Sequence, residues 1–553
     1  MTLGIYYNPV KTPEAAREIF GLQVAVLDWL KAWFRFGHEE KFHFLINSKQ
    51  ALEELHETAA AVDVDKNRIV ALDQRFTREN LGQFSTILRL VPDCQRLLWQ
   101  RQSMPGSSFT FCGLAHALSG METGELLEQY CLSPSEETDA IVCPSRAARS
   151  AISTFWDMYS DYLRMRFGAN YHCPVQLPII PLGIDIDKFA DLGRTDKRAD
   201  QRKKLGLGDT DIVLLWVGRL SHVLKAHPLA MFQAAERAAA LTGASIHLVM
   251  MGYFVPKDAE VQFQQLATDV CVKAKVKFIA SNDPLYPDGL WAAGDIFLSL
   301  IDNMQESFGL TPIEAMAAGL PRVISDWDGY RDSVQHGEDG FLIKTRQPPP
   351  GMGKELATLL LSGKEVYGGY LAKTALSVAI DVDMAAQAIK LLIEDKDKRR
   401  TIIEKARIRV RNQYDWKKII LSYQQLWQEM AAKRLRDKAN IAPLSWSSVM
   451  PQAPDPYSMY ATYPSKPFAE TDRVSLSASS ETIKMLWRHE INVLAIDMML
   501  PADDMTALIN YVSKQGTTMC GDIFKQFPSF DRSRLWRALG WLIKLGIISV
   551  KDY

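Results

Sequence analysis

The stretch ESFGLTPIEAMAAGLP, residues 306–321, decides how the second half of this chain folds. It carries two glutamates, Glu306 and Glu314, eight positions apart. Thr311 is suited to cap a helix, and Pro312 is suited to its first turn, where no backbone N–H is needed. The pattern therefore predicts a loop that carries Glu306 and a small-residue helix that carries Glu314.

The end of this helix and its chemistry are also predicted by the pattern. Gly319-Leu-Pro321 is a typical helix stop, and Val323-Ile324 continues as an apolar strand. The N-terminus of a helix presents free N–H groups and a positive dipole end, which suit a diphosphate. Glu306 would then reach a polyol beyond the phosphates, and Glu314 would accept hydrogen bonds from a ribose.

A second group of polar residues comes after the apolar run 211–217, which is typical of a central parallel strand. Gly218 and Arg219 come directly after this run, and Lys225 lies six residues beyond Arg219. Two cations at the end of a central strand suit the two phosphates of a nucleotide sugar, since arginine offers a planar fork and lysine a point charge.

These segments resemble the E-x7-E region of retaining GT-B glycosyltransferases, especially the large family 4 group. The runs SDWDGYRD, residues 325–332, and GFL, residues 340–342, are similar to the segments that come after that motif in the family. The resemblance covers roughly residues 1–430 and is more specific in the second half of that range.

The resemblance implies a role for each matching residue. Arg219 and Lys225 would bind the donor diphosphate and stabilise the departing nucleotide, Glu306 would orient the donor sugar, and a histidine, His116, would face that sugar from the first domain. These four are the expected catalytic residues. The expected donor-binding residues are Glu314, Phe308, Gly309, Leu310, Thr311, Gly218 and Gly21.

The chain departs from the family pattern at three places. The usual Lys-Gly pair is replaced by Lys225-Ala226. The family histidine matches either His116 or the position of Cys112, and the sequence leaves both alignments open. Gly21 resembles the glycine loop near the diphosphate, but the second glycine of that loop is absent.

Alternation of strand-like and helix-like segments predicts an α/β fold with mostly parallel sheets. We expect a GT-B architecture of two Rossmann-like, doubly wound domains that face a cleft. A small, mostly helical, winged-helix-like domain would come after a proline- and serine-rich linker with six prolines. The predicted divisions are 1–190 (acceptor side), 191–437 (donor side, with a terminal crossover helix), 438–475 (linker) and 476–553 (winged-helix-like).

Several local predictions go with this scheme. Residues 97–99 and 108–112 read as strands, and residues 145–156 as a helix capped by Ser145. The capping role is sufficient to explain a serine at position 145, so we assign Ser145 no contact with a ligand. Two D-x-D strings are read without a metal: residues 185–187 as a turn, and residues 326–328 as part of the pocket wall.

Composition narrows the class of protein. The 553 residues carry a net charge of −1, which gives no global basic excess for nucleic acid or an anionic membrane. Seven cysteines without a C-x2-C pair argue against zinc and fit reduced thiols. We expect no signal peptide, no transmembrane helix, a cytoplasmic location and, because GT-B folds use helix dipoles and cations where other folds use a metal, no metal or resident cofactor.

The resulting hypothesis is an enzyme, a retaining glycosyltransferase with a nucleoside-diphosphate sugar as co-substrate. The sequence does not specify the donor base or sugar, and the acceptor is a glycan, a lipid-linked glycan, or a peptide or protein. The alternatives are a catalytically silent GT-B scaffold, or a nucleic-acid- or protein-binding regulator that acts through residues 476–553. Nine Lys/Arg against eight Asp/Glu in that segment favour a protein or peptide partner, or self-association, over nucleic acid.

Overall fold

The computed structural model describes residues 2–9, 21–74, 81–102, 104, 108–280, 283, 285–286, 290–437 and 450–551. The chain divides into two compact units, Met1–Trp446 and Ser447–Tyr553, and each is treated by itself. Within the described ranges no helix has the length and apolarity needed to cross a membrane.

The first domain of unit 1 is built on a six-stranded parallel sheet in the order β3-β2-β1-β4-β5-β6. Its strands are β1 Leu3–Tyr6, β2 Phe42–Ile46, β3 Ile69–Asp73, β4 Thr86–Arg89, β5 Thr110–Leu114 and β6 Ala140–Val142. The covering helices are Gly21–Phe36, Lys49–Ala60, Gln95–Gln102, Met121–Leu132 and Arg146–Phe167, with a short 3₁₀ turn at Lys66–Arg68.

The second domain repeats the same strand order, β9-β8-β7-β10-β11-β12. Its strands are β7 Ile212–Val217, β8 Ile246–Gly252, β9 Lys275–Ala280, β10 Ile296–Ser299, β11 Arg322–Ser325 and β12 Phe341–Ile343. The first helices of this domain are Ile186–Leu192, Thr195–Lys204, Leu229–Thr242, Ala259–Val270, Leu310–Ala318 and Tyr330–Ser333, with a 3₁₀ turn at Trp291–Ala293. They are followed by Lys354–Leu361, Tyr367–Ala375, Val382–Glu394, Lys396–Gln413 and Trp416–Asp437, and by the short pair β13 Thr345–Arg346 and β14 Ala379–Ile380.

Both orders are those of a doubly wound sheet, so the predicted fold class is confirmed. The buried runs of β7 and β8 explain this arrangement, because parallel strands covered by helices on both faces need apolar side chains on both faces. In such a sheet the strand order reverses between the first and fourth strands, here between β7 and β10, while all strands stay parallel. Ligands bind in the crevice that this reversal leaves at the carboxyl ends of the strands.

Some local predictions were wrong. Residues 97–99 lie in the helix Gln95–Gln102 rather than a strand, and the strand predicted at 108–112 is β5, two residues later. Asp185 is not in a simple turn: its side chain accepts from Lys188 N and caps the helix Ile186–Leu192. The capping prediction for Ser145 is confirmed, since its Oγ accepts from Ala148 N at 3.0 Å, although that helix runs on to Phe167.

The last helix of unit 1, Trp416–Asp437, returns to pack on the first domain. Trp427 is fully buried among aromatic rings of the helix Gly21–Phe36, with ring centroids 5.3 Å from Trp33 and 6.5 Å from Trp29. Lys433 and Arg434 at its end pair with glutamates of the first domain. This helix therefore ties the first domain to the second.

Unit 2 contains a three-stranded antiparallel sheet in the order β16-β15-β17. Its strands are β15 Arg473–Leu476, β16 Thr517–Met519 and β17 Ile548–Lys551. Its helices are Pro456–Met459, Ser480–Leu486, Glu490–Val493, Ala502–Gln515, Cys520–Gln526 and Arg532–Lys544, with a 3₁₀ turn at Ile496–Met498. Of the predicted linker, residues 438–449 lie outside the described part of the chain, and β15 runs across the boundary predicted at residue 475.

We expect Trp427→Ala to lower the free energy of unfolding by about 3–5 kcal/mol, because it removes a large ring from a packed aromatic cluster. Urea unfolding followed by far-UV circular dichroism measures this change. The control is Leu435→Ala on the same helix, where the side chain is 64% exposed. Equal effects of the two substitutions would contradict the role given to this helix.

Candidate functional site

Two loops meet at the point where the strand order of the second sheet reverses. β7 and β10 are neighbouring parallel strands, and Gly218 to Lys225 comes after β7 while the segment to Glu306 comes after β10. Because both loops leave the carboxyl edge of adjacent strands, the fold brings the predicted cations and the first glutamate together.

Two polar residues in the segment that follows β10, Asp302 and Asn303, link these loops by hydrogen bonds. Asn303, which is fully buried, donates from Nδ2 to Val223 O at 2.8 Å and accepts at Oδ1 from Gln305 N at 3.0 Å. Asp302 accepts from His227 N at 3.1 Å, and burial raises the pKa of its carboxyl to about 7. Sequence reasoning missed both residues, although a polar Asp-Asn pair directly after an apolar strand was a visible signal.

Lys225 and Glu306 form an ion pair between the two loops. Their side chains are only 14% and 15% exposed, so each charge depends on the other. Burial acts against both charges, but attraction to Glu306 leaves the pKa of Lys225 raised, and attraction to Lys225 leaves the pKa of Glu306 lowered. Both groups are therefore held in their charged forms.

Arg219 lies beside this pair. Its Nη2 donates to Gln305 Oε1 at 3.2 Å, so the guanidinium is held next to the residue that precedes Glu306. Arg219 also contributes attraction that lowers the pKa of Glu306. The predicted Arg–Lys–Glu set is thus brought together at one edge of the sheet.

The helix Leu310–Ala318 begins two residues earlier than the capping prediction requires. Gly309 is its N-terminal cap, and no side chain caps it, so the capping role of Thr311 was wrong. Gly309 has φ +89°, and a Cβ added there would lie 2.1 Å from the ring of Tyr330. Glycine is needed here for both reasons, the left-handed backbone and the close approach.

Glu314 lies on this helix and lines a cavity between the two domains of unit 1. Burial raises the pKa of its carboxyl to about 7, against a weaker lowering by Lys188. A half-buried carboxyl of this kind can both donate and accept hydrogen bonds near neutral pH.

The first domain contributes His116, which comes after β5. Its Nε2 lies 2.7 Å from Leu90 O, and burial lowers the pKa of the ring below its ordinary value. The neutral ring therefore donates from Nε2 to this carbonyl. Cys112 lies within β5 in the core, where burial raises the pKa of its thiol to about 12. Of the two alignments for the family histidine, only the one at His116 places its residue on the cavity.

Gly21 is the first residue of the helix Gly21–Phe36, and residues 10–20 before it lie outside the described part of the chain. Val24 and Ala25 of the same helix line the cavity. The helix therefore borders the cavity near its N-terminus, and the donor-binding role of Gly21 itself stays a prediction.

Ser145 acts as a structural link rather than lining the cavity. Its Oγ donates to Ser307 O at 2.8 Å, next to Glu306 on the opposite domain. Arg146 adds two contacts with Asp332, from its backbone N at 2.7 Å and its Nε at 2.6 Å. The start of the helix Arg146–Phe167, in the first domain, therefore holds the loop that contains Glu306, in the second domain.

A cavity of about 970 Å³ lies between the two domains of unit 1. The predicted residues that line it are His116, Gly218, Arg219, Lys225, Glu306, Phe308, Gly309, Leu310, Thr311 and Glu314. Residues 326–328, predicted for the pocket wall, are not among the lining residues. Among the described residues, no group of three or more His, Cys, Asp or Glu side chains is arranged to hold a metal ion.

Comparison with known proteins finds a family match in the domain that contains the helix Leu310–Ala318. Residues 197–367 match the family model described as "Glycosyl transferases group 1". D-inositol 3-phosphate glycosyltransferase of Geodermatophilus obscurus is 31% identical over 190 residues, which are 33% of this chain and 39% of that protein. The Rhodococcus jostii enzyme of the same name is 30% identical over 189 residues, again 33% and 39% of the two chains. The chain thus spans about two fifths of the length of the curated relatives it matches.

Among solved structures, Anabaena HepE in complex with UDP and glucose has a TM-score of 0.48 and 16% identity. The match covers 78% of this chain and 100% of that chain. A likeness this remote bears on neither activity nor substrate.

The raised pKa of Glu314 predicts a pH dependence of stability. The folded protein keeps this proton up to a pH of about 7, whereas a glutamate in the unfolded chain releases it at about 4.3. The free energy of unfolding should therefore fall as the pH rises through this interval. Glu314→Gln has no proton to lose, so its stability relative to wild type should grow by about 1–3 kcal/mol between pH 5 and 8.

Urea unfolding at both pH values measures this difference. Glu404→Gln, on an exposed surface of the helix Lys396–Gln413, is the matched control. A stability difference between Glu314→Gln and wild type that does not change with pH would rule out the buried, protonated carboxyl.

Proposed function

We propose that this protein is a retaining glycosyltransferase that moves a sugar from a nucleoside-diphosphate sugar to an acceptor hydroxyl. The observation that carries the proposal is the convergence of Arg219, Lys225 and Glu306 with an uncapped helix start on one interdomain cavity. The match of residues 197–367 to the group 1 family model supports the reaction type.

The positive groups suit the donor diphosphate. Arg219 and Lys225 supply two cations, and the start of the helix Leu310–Ala318 supplies the positive end of a dipole. These charges are already in place before the reaction, so they stabilise negative charge on the leaving phosphate without reorganisation.

The two glutamates would hold the two ends of the donor. Glu306 is kept ionised by Lys225, so it accepts hydrogen bonds from hydroxyls of the transferred sugar. Glu314 lies about one turn into the helix Leu310–Ala318, where it would hold the ribose hydroxyls. His116, from the first domain, donates from Nε2 to Leu90 O. Its Nδ1 can therefore accept a hydrogen bond from a hydroxyl of the sugar.

The reaction balances without a protein nucleophile. The bond between the anomeric carbon and the β-phosphate oxygen breaks, and the acceptor oxygen bonds to the same face of that carbon. The acceptor proton passes to the departing phosphate, and the charge left on the phosphate is stabilised by Arg219 and Lys225. The proposal requires no resident cofactor and no metal, because these groups supply the positive charge.

The acceptor class that we propose is a hydroxyl of a glycan, a lipid-linked glycan or a protein. The cavity borders the carboxyl end of β5 in the first domain, which is where an acceptor would approach the donor. All seven cysteines are free and either buried or half-buried, which supports a reducing, cytoplasmic location.

For unit 2 we propose a winged-helix-like module that binds a protein. Helix Ala502–Gln515, strand β16, helices Cys520–Gln526 and Arg532–Lys544, and strand β17 succeed one another as in such a module. The three arginines that could contact DNA are engaged: Arg532 pairs with Glu470, and Arg534 and Arg537 donate to backbone carbonyls. Highly exposed Ile491 and Leu494, 87% and 88% accessible, favour an apolar partner instead.

The first test is nucleotide release from UDP-glucose, UDP-N-acetylglucosamine, GDP-mannose and ADP-glucose, without added metal. We expect release from one donor, and a loss of about 10²–10³-fold in Glu306→Gln and Lys225→Met, because each removes a preorganised charge. Lys405→Ala, which changes an exposed lysine, serves as control. Circular dichroism verifies that each variant is folded. A folded wild-type protein that neither binds nor cleaves any donor would favour the silent scaffold.

The second test addresses nucleic acid. In fluorescence anisotropy at physiological salt, the full chain should bind duplex DNA no more tightly than about 10⁻⁴ M, the weak end of non-specific binding. Micromolar, salt-dependent binding that Arg534→Ala and Arg537→Ala abolish would replace the protein-binding proposal with a nucleic-acid one.

A further inference from the structure

A helical hairpin interrupts the second domain between β12 and the helix Val382–Glu394. Its arms are the helices Lys354–Leu361 and Tyr367–Ala375, and we call residues 354–375 the cover hairpin. Both ends of the segment emerge from the antiparallel pair β13–β14, in which Thr345 faces Ile380.

The base of the cover hairpin is firmly attached. Thr345 Oγ1 donates to Asp326 O at 2.9 Å, at the end of β11. Asp381, which comes after β14, caps the next helix by accepting from Met384 N at 2.9 Å. The two strands are therefore fixed to the core of the second domain.

The arms, in contrast, are weakly packed. No residue of the first arm is buried, and the second arm buries only Leu371 and Ala375. Three large apolar side chains in or next to the hairpin, Leu361, Val366 and Leu376, are 70–74% exposed. A segment with so few buried contacts opens at low free-energy cost.

The arms are nevertheless joined to each other. Glu365, in the turn between them, pairs with Lys373 of the second arm. Its backbone N donates to Leu359 O of the first arm at 3.1 Å. The two arms are therefore linked to each other as well as to the base.

The turn and second arm contact both sides of the cavity. Tyr367 OH lies 2.7 Å from Ser119 Oγ of the first domain. A Cβ added at Gly368 would lie 3.0 Å from the side chain of Val223, in the loop that leads to Lys225. Leu360 and Tyr367 themselves line the cavity.

We propose that Tyr367 is a positioning residue that holds the cover hairpin closed across the cavity through its hydroxyl contact with Ser119. With the hairpin closed, Leu360 and Tyr367 form the wall that an acceptor meets, and water is kept from the donor sugar. Exclusion of water favours transfer over hydrolysis. The inference rests on the proposed function for its role in the reaction, while the contact itself is independent of it.

The test uses Tyr367→Phe, Ser119→Ala and the double variant, with Tyr370→Phe as matched control. Tyr370 is on the same arm and does not line the cavity. Hydrogen exchange of amides 356–375 in the ligand-free full chain should accelerate about fivefold in each of the three variants, the amount expected for one net hydrogen bond. The double variant should add nothing, because both substitutions remove the same contact.

A second readout separates positioning from a merely structural effect. Acceptor-free release of nucleotide from the donor that the wild-type protein cleaves should rise about fivefold in Tyr367→Phe, because water gains access. Loss of structure would lower this rate instead. Tyr370→Phe should match wild type in both measurements.

Two results would overturn the inference. One is amide hydrogen exchange in Tyr367→Phe at the wild-type rate, and the other is that the effects of the two single substitutions add up in the double variant. Unchanged or lower release in Tyr367→Phe would overturn the role in the reaction. If exchange behaves as expected while wild type cleaves no donor, the proposed function fails and the contact between the domains stands.

Discussion

The turn at Gly309 is the constraint on which the site depends. Its φ of +89° and the 2.1 Å approach of an added Cβ to Tyr330 exclude any larger residue. Tyr330 cannot yield, because it is fully buried and its hydroxyl lies 3.1 Å from Ser299 Oγ at the end of β10. The turn therefore rests on the sheet itself. It starts the helix Leu310–Ala318 at a fixed place and leaves Glu306 opposite Lys225.

Much of the fold was predictable because the central strand β7 is a continuous apolar run and the helix that carries Glu314 has a local stop signal. The helix that carries Glu314 ends at Gly319, where φ is +84°, as its predicted stop signal requires. Predictions failed where local pattern competes with context. Residues 97–99 are apolar, as in a strand, but lie within an eight-residue helix. Thr311 has a side chain suited to capping, but the helix already starts after the turn at Gly309, so Thr311 lies inside it.

The sequence singled out the residues that we propose to carry the chemistry, but not the groups that support them. Glu306, Lys225 and Arg219 stand in recognisable patterns, whereas the groups that join their loops depend on tertiary structure. Asn303 bonds one loop through Val223 O and the other through Gln305 N, and no spacing in the sequence encodes that pair of contacts. The same holds for Ser145, whose capping role was evident but whose bond to Ser307 O, 162 residues away, was not.

The ion pair between Lys225 and Glu306 explains how a buried site can be ready for an anionic donor. An unpaired charge at this degree of burial would be costly, so each partner keeps the other ionised when the cavity holds only solvent. An entering diphosphate brings negative charge that Lys225 can pair with directly, while sugar hydroxyls can satisfy Glu306. Both charges then exchange one partner for another, and neither is left uncompensated. The low exposure of the pair thus provides the strong electrostatic stabilisation that the proposed reaction requires, because the same low dielectric surrounds the leaving phosphate.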